Sequence, residues 1–328
     1  MKVSASVRAV QVPDDNPMHP QYTTIYLVGD EQVLSIDSGE AIDRYRWMLR
    51  GYLAATERAE IASAAITHHH ADHSGNLKWA VESLDADVLV ARKAVPYLKG
   101  RLPGKRREYL EPERPLQLEG GPSVYVLETP GHSPDSLCYY IEDEGVLFSG
   151  DTMLGSTTTT VHDLGAYMQT LQRLLELPNL QVICPGHGPL IHDPRERIQS
   201  YIDHRSNRER QILDVLERRG AVTSWDIMLE LYPDIDTRLR RAADNNVRSH
   251  LQKLEDEDRL AVYDGVPRKK RGPTKRAVEH AKQRAEVIRK AKRYEAEDRR
   301  AEIRAQENPP NEDWKVPPKF ELRGRSTD

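Results

Sequence analysis

Over roughly the first two hundred residues, short apolar runs bounded by glycine, proline or polar turns alternate with stretches whose apolar positions recur every three or four residues. Met1 to Val12, with its alternating Val3, Ser4, Ala5, Ser6 and Val7, predicts a first strand, followed by a turn at Pro13-Asp14-Asp15-Asn16-Pro17. Thr23 to Val28 and Gln32 to Ile36 flank Gly29-Asp30 and predict a hairpin. Ile61 to Ile66, Val88 to Ala91, Val124 to Leu127, Val146 to Phe148 and Val182 to Cys184 predict further strands. Between them Ile42, Tyr45, Leu49, Tyr52 and Leu53 keep helical spacing, Leu77 to Val81 opens a second helix, and Leu164, Tyr167, Met168, Leu171 and Leu175 mark a third. Such alternation predicts a layered α/β domain. Gly100 to Arg114 reads as a surface loop or short helix.

Beyond Pro189 the pattern becomes helical. Ile212, Leu213 and Leu216 define one helix. Trp225, Ile227, Met228 and Leu231 define a second, with Ser224 as its N-cap candidate, and Leu239, Ala243, Val247, Leu251 and Leu254 a third. Leu260 to Tyr263 then reads as a strand. Three helices and a short strand hairpin predict a small winged-helix-like domain over 206–265, after a first domain over 1–205. From 266 to 328 the apolar content falls; a charged tail is expected there, helical in its middle and disordered at its proline-rich end.

Charge sharpens this division. Of the 328 residues with a formal net charge of −4, residues 268–304 hold fifteen Lys or Arg against six Asp or Glu, so an acidic body carries a basic arm. Nucleic-acid contact by that arm and a solubilising role are both open. Arg238, Arg240, Arg241 and Arg248 make the third helix of the small domain basic, but Asp244 and Glu255 to Asp258 interrupt the patch, favouring packing over sequence readout. No apolar run approaches the ~20 residues of a membrane helix, and the N-terminus lacks a secretory apolar core. The chain therefore reads as cytoplasmic, with a mitochondrial address kept open for a eukaryotic source. Cys138 and Cys184, the only cysteines, fall in apolar runs and read as buried packing residues.

The chemistry centres on Ile66-Thr67-His68-His69-His70-Ala71-Asp72-His73-Ser74-Gly75, on the loop that leaves a predicted strand. Imidazole and carboxylate suit a borderline cation such as Zn²⁺, and four candidates in six residues can serve two ions once distant ligands join them. His132 in Pro130-Gly131-His132, Asp151 in Gly150-Asp151 and His187 in Pro185-Gly186-His187-Gly188 each follow an apolar run and a glycine. Strand ends thus deliver seven donors to one rim.

HxHxDH, PGH, GD and PGHG in that order resemble the metallo-β-lactamase superfamily, over about two thirds of the chain. The resemblance implies a four-layer αββα sandwich and two Zn²⁺, with Fe or Mn as alternatives. It places His68, His70 and His132 on one metal, Asp72, His73 and His187 on the other, and Asp151 between. It also implies that a metal-bridging hydroxide attacks a phosphodiester or ester while Asp72 orients it and takes its proton. Gly150 to Gly155, Asp163-Leu164, Tyr167-Met168 and the winged-helix extension are similar to the β-lactamase-like protein 2 branch, which implies endoribonuclease action on single-stranded RNA. The alternative is a thioesterase or glyoxalase-II-like acyl hydrolase acting on an anionic or acyl small molecule. Asp37 is expected either as a hydrogen-bond partner behind a ligand histidine or as a turn residue. Thr157 to Thr160 are expected either to meet a bound oxyanion or to cap the helix near Asp163, and Arg101 and Lys105 to Arg107 to form a basic rim or a solvated charge run. His69 is expected to point away from the ligands. His162 is a possible neighbour of the site, and His19, His192, His204, His250 and His280 are expected at the surface or in packing.

Overall fold

The computed structural model describes residues 1–13, 22–56, 60–267 and 314–324. The turn at 14–17, His19, His280 and the basic stretch from Arg268 lie outside the described residues. Two compact units emerge, 1–204 and 205–328.

In the first unit, β1 (Val7–Pro13), β2 (Tyr22–Val28), β3 (Gln32–Ile36), β4 (Glu60–Ala65), β5 (Asp87–Ala91) and β6 (Arg107–Leu110) form one sheet in sequence order. β7 (Pro115–Gln117), β8 (Ser123–Glu128), β9 (Leu137–Ile141), β10 (Val146–Gly150) and β11 (Val182–Pro185) form a second, ordered β11-β10-β9-β8-β7. The expected hairpin is β2–β3, antiparallel around Gly29, whose φ of 93° suits a residue without a side chain. Most of the 100–114 stretch is the expected loop, but Arg107–Leu110 within it form β6 because an open parallel edge on β5 takes them up, Val88 opposite Arg107.

Strand alternation sorts the core into layers. Leu137, Tyr139 and Ile141 of β9 face the space between the sheets, where they join Tyr26, Val28, Leu34, Val124 and Phe148. The intervening Cys138 and Tyr140 face α4 (Leu164–Leu175) and the start of α5 (Pro194–Arg219), against Leu164, Tyr167, Leu171, Ile198 and Tyr201. Across the other sheet, Val10, Val12, Ile25 and Leu27 meet α1 (Asp43–Ala55) through Tyr45 and Leu49 and α3 (Leu77–Leu84) through Ala80. The result is the αββα sandwich. Both cysteines are free and buried, and burial pushes the Cys138 thiol up to about 11, as expected of packing residues.

The second unit is built on Ile212, Val215 and Leu216 of α5, Trp225, Ile227 and Met228 of α6 (Ser224–Leu231), and Ala243, Val247, Leu251 and Leu254 of α7 (Arg240–Asp256). The cap of α6 is Thr223 rather than Ser224. Its hydroxyl accepts from Asp226 N at 3.1 Å while the Asp226 carboxylate faces Thr223 N, a reciprocal pair that Ser224 is one residue too late to make. Arg248 pairs with Asp244 at 2.8 Å and Lys253 with Glu209 at 2.8 Å, so acids do interrupt the basic helix.

The expected tail is corrected at its far end. β12 (Leu260–Tyr263) pairs antiparallel with β15 (Lys319–Leu322), and β13 (Val266–Pro267) with β14 (Trp314–Val316). Phe320 and Leu322 pack against the helices, and that burial is what recruits a stretch expected to be disordered. The basic stretch therefore connects two paired strands. Among the described residues, no helix is long and apolar enough to cross a membrane.

Candidate metal centre

β3, β4 and β5 run parallel, as do β10 and β11, while β8 and β10 are each antiparallel to β9. The carboxyl ends of β3 and β4, and likewise those of β8, β10 and β11, consequently emerge together. His68 to His70 leave β4 through Ile66-Thr67, and α2 (Ala71–Ser74) then presents Asp72 and His73. His132 follows β8, Asp151 follows β10 and His187 follows β11. Two tyrosines on strands and one on α4 pin these loops. Tyr139 donates to Ile66 O at 2.6 Å, Tyr26 to Pro185 O at 2.8 Å, and Tyr167 to Thr152 O at 2.7 Å.

All seven expected donors come together, as two groups: His68, His70, His132 and Asp151, and Asp72, His73 and His187. In the first, His70 Nδ1 lies 2.8 Å from His68 Nε2 and 3.2 Å from His132 Nε2. In the second, His187 Nε2 lies 3.0 Å from Asp72 Oδ2 and 3.3 Å from His73 Nε2. Asp151 faces both: Oδ1 is 3.4 Å from His73 Nε2 and from His187 Nε2, and Oδ2 is 3.8 Å from His132 Nε2.

Four rings have their remote nitrogen engaged, which fixes the edge they present. His73 Nδ1 donates to Asp37 Oδ2 at 2.7 Å, and His187 Nδ1 to Thr23 Oγ1 at 3.0 Å. His68 Nδ1 lies 3.1 Å from Thr67 Oγ1, whose hydroxyl donates on to Asp37 at 3.0 Å. His132 Nδ1 faces Thr160 O at 2.8 Å and Thr159 Oγ1 at 2.9 Å. Asp37 is therefore the hydrogen-bond partner behind His73, one of the candidate ligands. It takes this role from a left-handed backbone, φ 66°, in which its other oxygen accepts Thr67 N at 2.7 Å.

Crowding buried imidazoles and carboxylates moves their basicity in opposite directions. Burial, then the neighbouring rings, push His70 down to about 4 and His68 well below its usual value. Burial also opposes charge on His187, but Asp151 and Asp72 outweigh it and raise that ring to about 9. His73 is raised in the same way by Asp72 and Asp37. Burial favours the neutral acid at Asp151, yet His187 and His73 hold it well below the carboxylate range.

Asp151 Oδ1 is buried without a hydrogen-bond partner among the described residues, which a cation facing it would remedy. The donor set fits metal ions. Five imidazoles and two carboxylates within reach of one another match what borderline divalent cations accept.

Residues 20–187 match the Metallo-beta-lactamase superfamily, and 223–265 the Beta-lactamase associated winged helix domain. The chain belongs to the metallo-beta-lactamase superfamily. A Beta-lactamase-like protein 2 homolog of Caenorhabditis elegans is 34% identical over 259 residues, covering 77% of this chain and 85% of the relative. An Atrochrysone carboxyl ACP thioesterase of Aspergillus fumigatus is also 34% identical, over 216 residues, covering 65% of this chain and 66% of that protein. Among solved structures, a Beta-lactamase domain protein from Burkholderia ambifaria superposes with a TM-score of 0.72 at 19% identity, covering 81% of this chain and 90% of that one. This chain is thus a hydrolase of the metallo-beta-lactamase superfamily carrying a winged helix.

The remaining expectations divide. His69 does turn from the ligands, to Asp135 Oδ1 at 2.6 Å. Arg101 reaches Ser74 Oγ at 2.7 Å, beside the metal loop, whereas Arg106 is spent on Asp85 and Asp87 and Arg107 on Pro103 O. Arg101 of the expected basic rim is therefore seated beside this loop, and Lys105 is exposed. Thr159 backs His132, and α4 is capped by Asp163 itself, which accepts Ala166 N at 2.9 Å. His162 and His192 are exposed, while His250 is buried in the second unit. Thr23, Thr67, Asp135 and Tyr97 are neighbours of the centre that the sequence did not mark, because each is recognisable only by what it touches.

Proposed function

We propose that the chain hydrolyses acyl thioesters and related esters at a pair of bound metal ions. The observation that carries this reading is the seven-donor rim in which Asp151 offers one oxygen to each group. The thioesterase activity named for the Aspergillus relative supports the choice of bond. Bound there, two divalent ions, zinc by donor preference with Fe or Mn as alternatives, supply water acidic enough to ionise near pH 7 and polarise the scissile carbonyl.

The chain's own residues do the rest. His68, His70 and His132 offer neutral nitrogen lone pairs without first losing a proton. In the unloaded centre Asp72 is held ionised, because His73 and a hydrogen bond from His187 overcome the burial that would neutralise it, and beside a bound cation it would remain so. It orients the attacking water and takes its proton at a carboxylate oxygen. Asp37 and Thr23 hold His73 and His187 in the orientation that points Nε2 inward.

Cleavage of single-stranded RNA is the second reading, favoured by the winged helix and the surplus of Lys and Arg over 268–304. The ion pairs of Arg248, Lys253 and Arg259 with acids count against readout by the described part of that domain. The test is to assay metal-loaded protein on an acyl-thioester and on single-stranded RNA, each with and without chelator. Chelator-sensitive thioester turnover with intact RNA supports the proposal; the reverse pattern replaces it with the nuclease.

A further inference from the structure

Beside the centre lies a construction that holding metal does not require. His69 sits between the ligands His68 and His70 but contributes to neither group. Its Nδ1 donates to Asp135 Oδ1 at 2.6 Å, and Ser133 Oγ donates to the same oxygen at 2.9 Å. The Asp135 side chain is fully buried, so the ring is anchored from behind by a carboxylate that cannot swing away.

Tyr97 lies against the His69 ring, centroids 4.6 Å apart and planes within 25°. Tyr97 itself is 46% exposed, so ring surface remains open to solvent. The same turn is tied down on its other side. Arg101 donates to Tyr97 O at 3.1 Å and to Ser74 Oγ at 2.7 Å, and the Ser74 hydroxyl in turn serves His69 O at 2.9 Å and His70 O at 2.8 Å. Rings then run inward without interruption. His69 is 4.8 Å from His70, and His70 is 4.9 Å from His132. An exposed aromatic is thereby fixed two ring contacts from a metal-facing imidazole, where folding alone would leave a surface tyrosine unconstrained.

We infer that Tyr97, held flat on His69, is a specificity-determining residue that stacks on a planar aromatic acyl group and favours such substrates over saturated ones. This inference rests on the hydrolase reading above and names the acyl class it prefers. Offset stacking adds a modest increment beyond simple burial, so the discrimination expected from one such contact is about 3- to 10-fold.

The experiment compares the wild-type chain with Tyr97→Phe and Tyr97→Ala on two thioesters of one thiol, 2-naphthoyl and decanoyl. In Tyr97→Ala, KM for the naphthoyl substrate should rise about 3- to 10-fold with little change in kcat, decanoyl turnover should hold, and Tyr97→Phe should behave as wild type. Binding of 2-naphthoate, followed by its fluorescence, is read alongside and requires no turnover; it should weaken in Tyr97→Ala alone. Equal effects on both thioesters, or no effect on naphthoate binding, overturn the inference while leaving the hydrolase reading intact. If neither thioester is cleaved but RNA is, with cleavage dependent on Tyr97, the ring serves a nucleobase and the acyl assignment falls.

Discussion

The two donor groups of the centre are built from the same residue types yet wait for metal in opposite states. His68, His70 and His132 face mostly one another, with Thr67 Oγ1 and the Thr160 carbonyl behind them, and burial holds all three rings below their usual basicity. His73 and His187 face Asp72 and Asp151, with Asp37 also behind His73, and those carboxylates hold both rings above it. Neutral lone pairs await an ion in the first group; in the second, imidazoliums paired with carboxylates must shed protons to receive one. Carboxylate placement, and not the number of histidines, decides which half is preorganised for metal.

The largest expected effect comes from removing the residue both halves share. Asp151→Ala should lower chelator-sensitive kcat/KM by more than the roughly 10- to 100-fold that a hydrogen-bond partner behind a ligand is worth, and should weaken metal retention in both groups. Metal content after dialysis, measured beside turnover, checks it; loss from one group alone would show that Asp151 does not join them. Asp37→Asn is milder and one-sided. Asn tolerates the left-handed backbone but cannot accept from His73 with a full negative charge, so affinity of the second group should fall roughly 10- to 100-fold while the first, which meets Asp37 only through Thr67, falls less. Competitive chelator titration resolves the two.

Titration sharpens the contrast further. His187, raised to about 9, holds its proton at pH 7, as does His73, raised with it, and each must release that proton to an arriving ion, so affinity of the second group should weaken at least tenfold per unit as pH falls below 9. His70, held at about 4, has no proton to lose near neutrality, so the first group should be nearly flat from pH 6 to 9. Calorimetry in buffers of different ionisation enthalpy counts the protons, and equal release from both groups would contradict the comparison. The smallest effect belongs to Thr159→Val. His132 Nδ1 keeps the Thr160 carbonyl as acceptor, so affinity of the first group should drop by less than about tenfold.

Local spacing carried much of this into the sequence. His68, His70, Asp72 and His73 lie within six residues, and each distant donor sits just beyond an apolar run and a glycine, so strand ends alone predicted their convergence. The state of the rings was not legible, because Asp37 and Thr23 meet His73 and His187 only through sheet pairing, such as the bridge between Thr23 and His187. β6 was hidden for a similar reason: Arg107-Glu108-Tyr109 is a strand only because β5 offers it an edge. β14 and β15 did leave a signal, in the alternation Trp314, Val316 and Phe320, Leu322, but neighbouring prolines and charges obscured a pairing that spans a connection of more than forty residues.

Anomalous diffraction at the zinc edge, from crystals of zinc-loaded protein, tests the central claim most directly. Two peaks per chain should appear, one among His68 Nε2, His70 Nδ1 and His132 Nε2, the other beside Asp72 and the Nε2 atoms of His73 and His187, with Asp151 between them. A single peak, or none at these nitrogens in fully loaded protein, would contradict it.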